Sequence, residues 1–121
     1  MNFINHFILI FILVIFTSCS KETLKKSVIK ETNLDAQVLE AYKEGLESLN
    51  AGDVLFAAKK FNEAEILYPQ SIWAPKSALM AAYSYYTQDY YLDSIAELKR
   101  FIRVYPSHKN LDYAYYLMGI C

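Results

Sequence analysis

The order of apolar and polar positions divides the chain into three parts. At the front, every residue from Phe7 to Phe16 is apolar, and no Asp, Glu, Lys or Arg precedes Lys21. Lys21 to Asn33 is polar and charged, without a clean amphipathic period. From Asp35 onward apolar residues recur three and four positions apart, the spacing that places them on one face of a helix. Val38, Ala41, Tyr42, Gly45, Leu46 and Leu49 form a first stripe, and Ala57, Phe61, Ala64 and Tyr68 a second. Between them Ala51-Gly52-Asp53 predicts a break, because Gly52 can turn left-handed and Asp53 can cap the next helix. Pro69 ends the second helix, since it lacks the N–H that a helix interior needs.

The plan then repeats. Ala78, Leu79, Ala82, Tyr85 and Tyr86 mark a third helix, and Tyr91, Ile95, Leu98, Ile102 and Tyr105 a fourth. Pro75 falls in a first turn, where a missing N–H costs little. Three markers share one period. Tyr68-Pro69 returns as Tyr105-Pro106, 106 − 69 = 37 positions on; the small residues Gly45, Ala82 and Gly119 stand 37 apart; and Gly52-Asp53 corresponds to Asp89-Tyr90 at the same distance. Repetition at such a period implies stacked helical hairpins. Small residues at Gly45, Ala82 and Gly119 let the helices of a unit approach closely, and Ala57 and Ser94 meet the same need from the facing helix.

With Phe61, Pro69 and Pro106, these positions resemble the tetratricopeptide pattern of Gly/Ala, Ala, Phe and Pro, whose usual period is about 34. The extra residues are expected in the loops between units, Gln70 to Trp73 and Ser107 to Asn110. The fold expected is all-α, tetratricopeptide hairpins stacked as a solenoid over 35–121, with two full repeats and part of a third. Trp73, between Pro69 and Pro75, is expected to fill the gap at the joint of two units.

The front segment is too short to span a bilayer, which takes roughly 20 apolar residues, and suits the core of a signal peptide over 1–18. It ends in Phe16-Thr17-Ser18-Cys19, which resembles the lipobox of bacterial lipoproteins. That resemblance implies acylation of Cys19, with 19–34 as acylated cysteine and flexible tether. Ser20, where an Asp would resemble an inner-membrane retention signal, favours the periplasmic face of the outer membrane.

Charge adds little. The 12 basic and 13 acidic residues nearly cancel, so no basic excess points to nucleic acid. No cofactor, metal site or catalytic set is expected. His108 reads as a surface residue of a loop, and Glu63 and Glu65, two apart on a helix, as solvated carboxylates. The 11 Tyr stand out. The first helix of each unit lines the inner surface of tetratricopeptide stacks, and counting from the small residue puts Tyr42, Leu46 and Leu49, then Leu79, Tyr83 and Tyr86, then Tyr113, Tyr116 and Ile120 on that face.

The wording of the chain is more specific still. Tyr68-Pro-Gln-Ser-Ile-Trp-Ala-Pro-Lys-Ser-Ala-Leu-Met-Ala-Ala-Tyr-Ser-Tyr-Tyr86, with Phe101-Ile-Arg-Val-Tyr-Pro-Ser-His108 and Asp112-Tyr-Ala-Tyr-Tyr-Leu-Met-Gly-Ile-Cys121, resembles the N-terminal repeats of the BamD family of outer-membrane lipoproteins. The resemblance covers roughly Asp35 to Cys121 and implies a non-catalytic scaffold of the β-barrel assembly complex. The partners it implies are unfolded outer-membrane β-barrel proteins, BamA, the other lipoproteins of the complex, and the membrane through the lipid anchor. The family carries more repeats than these, so the chain reads as a fragment or a truncated frame. In the family the N-terminal repeats are associated with unfolded substrate and the C-terminal ones with BamA and BamC. Another tetratricopeptide lipoprotein, serving pilus or cell-wall assembly, is the alternative.

Overall fold

The computed structural model describes residues 31–121. Among the described residues there are five α-helices and no strand: α1 (Glu31–Asn50), α2 (Val54–Leu67), α3 (Trp73–Tyr86), α4 (Tyr91–Val104) and α5 (Leu111–Ile120). The signal-peptide segment 1–18, Cys19 and nearly all of the tether lie outside the described residues. The stretch read as tether does not stay irregular to its end, because α1 already begins at Glu31.

Local chemistry explains the breaks. Gly52 has φ +83°, a left-handed conformation that glycine adopts without steric cost, and Asp53 N–H then donates to the Ser48 carbonyl at 2.9 Å. The Asp53 carboxylate accepts from Phe56 N–H at 3.1 Å and caps α2. Tyr68 closes α2 just before Pro69. The following turn is held by Ser71, whose N–H donates to Tyr68 O at 2.9 Å and whose Oγ accepts from Ala74 N–H at 3.1 Å. Trp73 is therefore the first residue of α3 rather than part of the loop. In the next loop His108 takes a comparable part: its Nδ1 accepts from Asn110 N–H at 3.2 Å and its ring meets Phe101 edge-on at 5.5 Å. His108 is thus half-buried and structural, a correction to its reading as a surface residue.

Each helix packs on its neighbour in chain order, and α1 also touches α3, so α1–α2 and α3–α4 form two stacked hairpins with α5 against α4. Phe61, Leu98, Phe101 and Leu117 are fully buried, and each such side chain contributes roughly 1.5–3 kcal/mol. The small residues work through contact. A Cβ at Gly45 would lie 2.8 Å from the Phe61 ring, so only glycine admits that ring without displacement. At the equivalent place in the second hairpin Ala82 is fully buried and its carbonyl accepts from Ser94 Oγ at 2.9 Å. Ala57 is likewise buried against Phe61. Gly119 differs: no described atom lies within 4 Å of a Cβ built there. No described helix faces Gly119, which makes no close approach here.

Candidate functional site

The first helices of the units share one side of the stack, and their side chains line an open cavity of about 480 Å³ there. Tyr42 comes from α1, Lys76, Leu79, Met80 and Tyr83 from α3, and Asn110 and Tyr113 from the start of α5. The position of Tyr42 is set by two rings, Phe61 at 5.3 Å and Trp73 at 5.1 Å. Trp73 packs with Val38, Ala41, Ala64 and Leu67 at the joint of the two hairpins, and the Lys76 ammonium stands 4.6 Å over its indole. Burial raises the phenol pKa of Tyr42, and burial followed by the neighbouring phenols Tyr83, Tyr116 and Tyr86 raises that of Tyr113. Both are therefore neutral donors at ordinary pH. The walls are apolar faces of aromatic and aliphatic side chains, with phenol hydroxyls, one ammonium and one amide at the rim.

Of the residues assigned to this face from the sequence, Tyr42, Leu79, Tyr83 and Tyr113 meet in the cavity. Tyr86 and Tyr116 flank it through ring contacts, Tyr86 with Tyr83 and Tyr116 with Tyr113, each at 6.4 Å. Leu46 does not line it. Leu46 packs with Leu49 against Ala57, Ala58, Phe61 and Ala81, because a residue one past Gly45 on α1 turns toward α2 and α3. Lys76, Met80 and Asn110 line the cavity but escape a count made from the small residues, since Lys76 and Met80 lie beside the counted positions and Asn110 precedes its helix.

On the opposite side of the stack lies a polar cluster that sequence reasoning missed. Glu65 is not a solvated carboxylate: it is 6% exposed. Arg100 holds it with two parallel bonds, Nη1 to Oε1 at 2.8 Å and Nη2 to Oε2 at 2.7 Å, and the Tyr105 hydroxyl donates to Oε1 at 2.8 Å. Arg100 also donates to Glu97 Oε2 at 2.8 Å and Asn62 Oδ1 at 3.2 Å, and Asn62 Nδ2 donates to Glu97 Oε1 at 3.3 Å. The hydrogen bonds to Glu65 raise the pKa of Arg100 against an opposing desolvation, while burial and then the bond to Glu65 raise that of Tyr105. The signal was present in the sequence: Glu65 stands four after Phe61 and three before Tyr68, on the buried stripe of its helix. Among the described residues no group of three or more His, Cys, Asp or Glu could hold a metal ion, and no described helix is long and apolar enough to cross a membrane.

The family described as YfiO, outer membrane lipoprotein, matches residues 34–121. The chain belongs to that family. Among curated relatives, the protein named outer membrane protein assembly factor BamD in Caulobacter vibrioides is 32% identical over 103 residues, which is 85% of this chain and 33% of that protein. The protein of the same name in Neisseria gonorrhoeae is 37% identical over 86 residues, 71% of this chain and 32% of the relative. That in Xylella fastidiosa is 27% identical over 107 residues, 88% and 35% respectively. The chain thus spans about a third of the length of the curated relatives it matches. Within the YfiO family match fall both hairpins, the groove and the Glu65–Arg100 cluster.

Proposed function

We propose that this chain is the repeat region of an outer-membrane protein assembly factor and that its groove holds extended, unfolded segments of β-barrel proteins. The observation that carries the proposal is the groove lined by Tyr42, Leu79, Tyr83 and Tyr113, drawn from three successive units. A strand of a β-barrel alternates apolar side chains with polar ones. Aromatic walls bury the apolar set, and phenol hydroxyls and the Asn110 amide offer hydrogen bonds to its backbone. The relatives' printed name, assembly factor, agrees with this reading. Acylation at Cys19 would hold the repeats at the periplasmic face of the outer membrane, and labelled palmitate lost on Cys19→Ala is its test. Contacts with BamA and the other lipoproteins of the complex belong to the same proposal, and no residue here is assigned to them.

The deciding experiment is binding of a peptide with alternating apolar residues, taken from a barrel strand, to the full chain. Tyr83→Ala and Tyr113→Ala are expected to weaken binding while leaving the helical content intact. Unchanged affinity in folded variants would remove the groove from the proposal.

A further inference from the structure

We propose that the Glu65–Arg100 pair is a positioning device that sets the width of the aromatic groove from the opposite side of the stack. The inference rests on the groove being the binding site.

The two outer helices, α2 and α4, belong to successive hairpins. Among the described residues they share no extensive apolar packing: the apolar contacts of this joint run from α2 to α3 and from α1 to α3. What connects α2 to α4 directly is polar. Glu65 and Asn62 on α2 meet Arg100 and Glu97 on α4, and Tyr105 closes the cluster just after α4 ends. An apolar contact tolerates small sliding and rotation. A bidentate guanidinium–carboxylate pair does not, because both of its bonds are directional and fix the planes of the two groups. The burial of Glu65 makes that alignment compulsory, since a carboxylate 6% exposed is costly to leave unpaired. The α1–α3 and α2–α3 packing therefore acts as a fulcrum. The groove lies on one side of it, spanned by Tyr42, Tyr83 and Tyr113, and the ion pair lies on the other.

The pair is particular to this joint. At a shift of 37, Glu65 is replaced by Ile102 (102 − 65 = 37) and Arg100 has Glu63 as its counterpart (100 − 63 = 37). It is not a by-product of the repeat but an addition to it.

The test measures geometry by electron–electron double resonance in the full chain, with Cys19 and Cys121 replaced by serine. One pair of spin labels replaces the exposed Lys59 and Lys99 on the outer helices. A second replaces the exposed Lys43 and Asp112, the chain neighbours of the groove residues Tyr42 and Tyr113. Glu65→Gln and Arg100→Lys both break the bidentate pair. The expected result is opposite shifts, the outer distance lengthening and the distance between the Lys43 and Asp112 sites shortening. General loosening would instead broaden both distributions alike, and that result overturns the proposal. So do unchanged distances in a folded Arg100→Lys chain, which decides the matter if Glu65→Gln does not fold. No peptide enters this measurement. A groove that takes no peptide defeats the proposed function without touching these distances, and unchanged distances defeat the positioning role without touching peptide binding.

Discussion

The two hairpins solve the same packing problem with different residues. In the first, Gly45 faces Phe61, whose ring would lie 2.8 Å from any added Cβ. In the second, the same two places hold Ala82 and Leu98, both fully buried. The methyl gained on one helix is matched by a smaller side chain on the other. The aromatic ring reappears one turn later, as Phe101 where the first hairpin has Ala64. The turns differ in the same way. Gly52 at φ +83° is followed by the capping Asp53, whereas Asp89 at φ +62° is followed by Tyr90, which caps nothing. There the Asp89 carboxylate instead accepts from the Tyr91 hydroxyl at 2.6 Å. The facing pair therefore keeps its summed volume and the repeat its backbone path, while the Phe101 ring is an addition of the second hairpin.

The comparison can be broken most strongly at the ion pairs. Lys60 bridges Glu44 and Glu63 within the first hairpin, at 2.7 and 3.0 Å, while Arg100 joins the two hairpins. Arg100→Met should destabilise the fold by about 3 kcal/mol, because it strands a buried carboxylate, with the partial exposure of Arg100 holding the loss at the lower end of such costs. Lys60→Met should shift the thermal midpoint little, since both of its carboxylates reach water. Comparable losses in the two variants would erase the distinction between the sites.

Tyr105→Phe should cost about 1.5 kcal/mol at neutral pH by removing a donor to that same carboxylate. Its pH signature follows from sign. The fold raises the Tyr105 pKa, first by burial and then through Glu65, so it favours the neutral phenol. That contribution is complete below the ordinary tyrosine range near 10 and is lost as pH rises beyond it. Chemical denaturation across alkaline pH should show a shallower fall in Tyr105→Phe than in the parent chain.

Gly45→Ala sharpens the comparison of volumes. Crowding the Phe61 ring, which Tyr42 already meets at 5.3 Å, costs roughly 1–3 kcal/mol, and alanine returns about 0.5–1 kcal/mol of helix propensity. The net loss expected is about 1 kcal/mol. Gly45→Ala with Phe61→Leu reproduces the pairing of the second hairpin. A double-mutant cycle should give a destabilisation smaller than the sum of the single variants, and strict additivity would show that the two positions are not coupled. The smallest effect belongs to the caps. Tyr90→Asp, giving α4 the cap that α2 already has, should raise stability by about 0.5 kcal/mol, near the lower limit for a new cap because Asp89 and Asp93 are close by. A lowered midpoint would count against the equivalence of the two turns.

Much of this architecture is determined by the sequence alone, because it depends on interactions between near neighbours. Helix periodicity, the left-handed turn at Gly52, the cap at Asp53 and the stops at Pro69 and Pro106 act over a few residues, and the return of each mark after 37 positions announces the stacked hairpins. The wording from Tyr68 to Tyr86 was enough to suggest the family, which the match over 34–121 then establishes. Three things were decided only in the tertiary structure. Leu46 sits on the expected stripe yet turns into the core, since the rotation of a helix depends on the partner against which it settles. Gly119 holds the periodic place of a close approach without making one, since such an approach requires a second helix. Glu65 looked like one more surface carboxylate until Arg100 and Tyr105, 35 and 40 positions away, closed around it. Periodicity reports which face of a helix is covered, but a buried charge is stabilised by partners that only the folding of the second hairpin brings within reach.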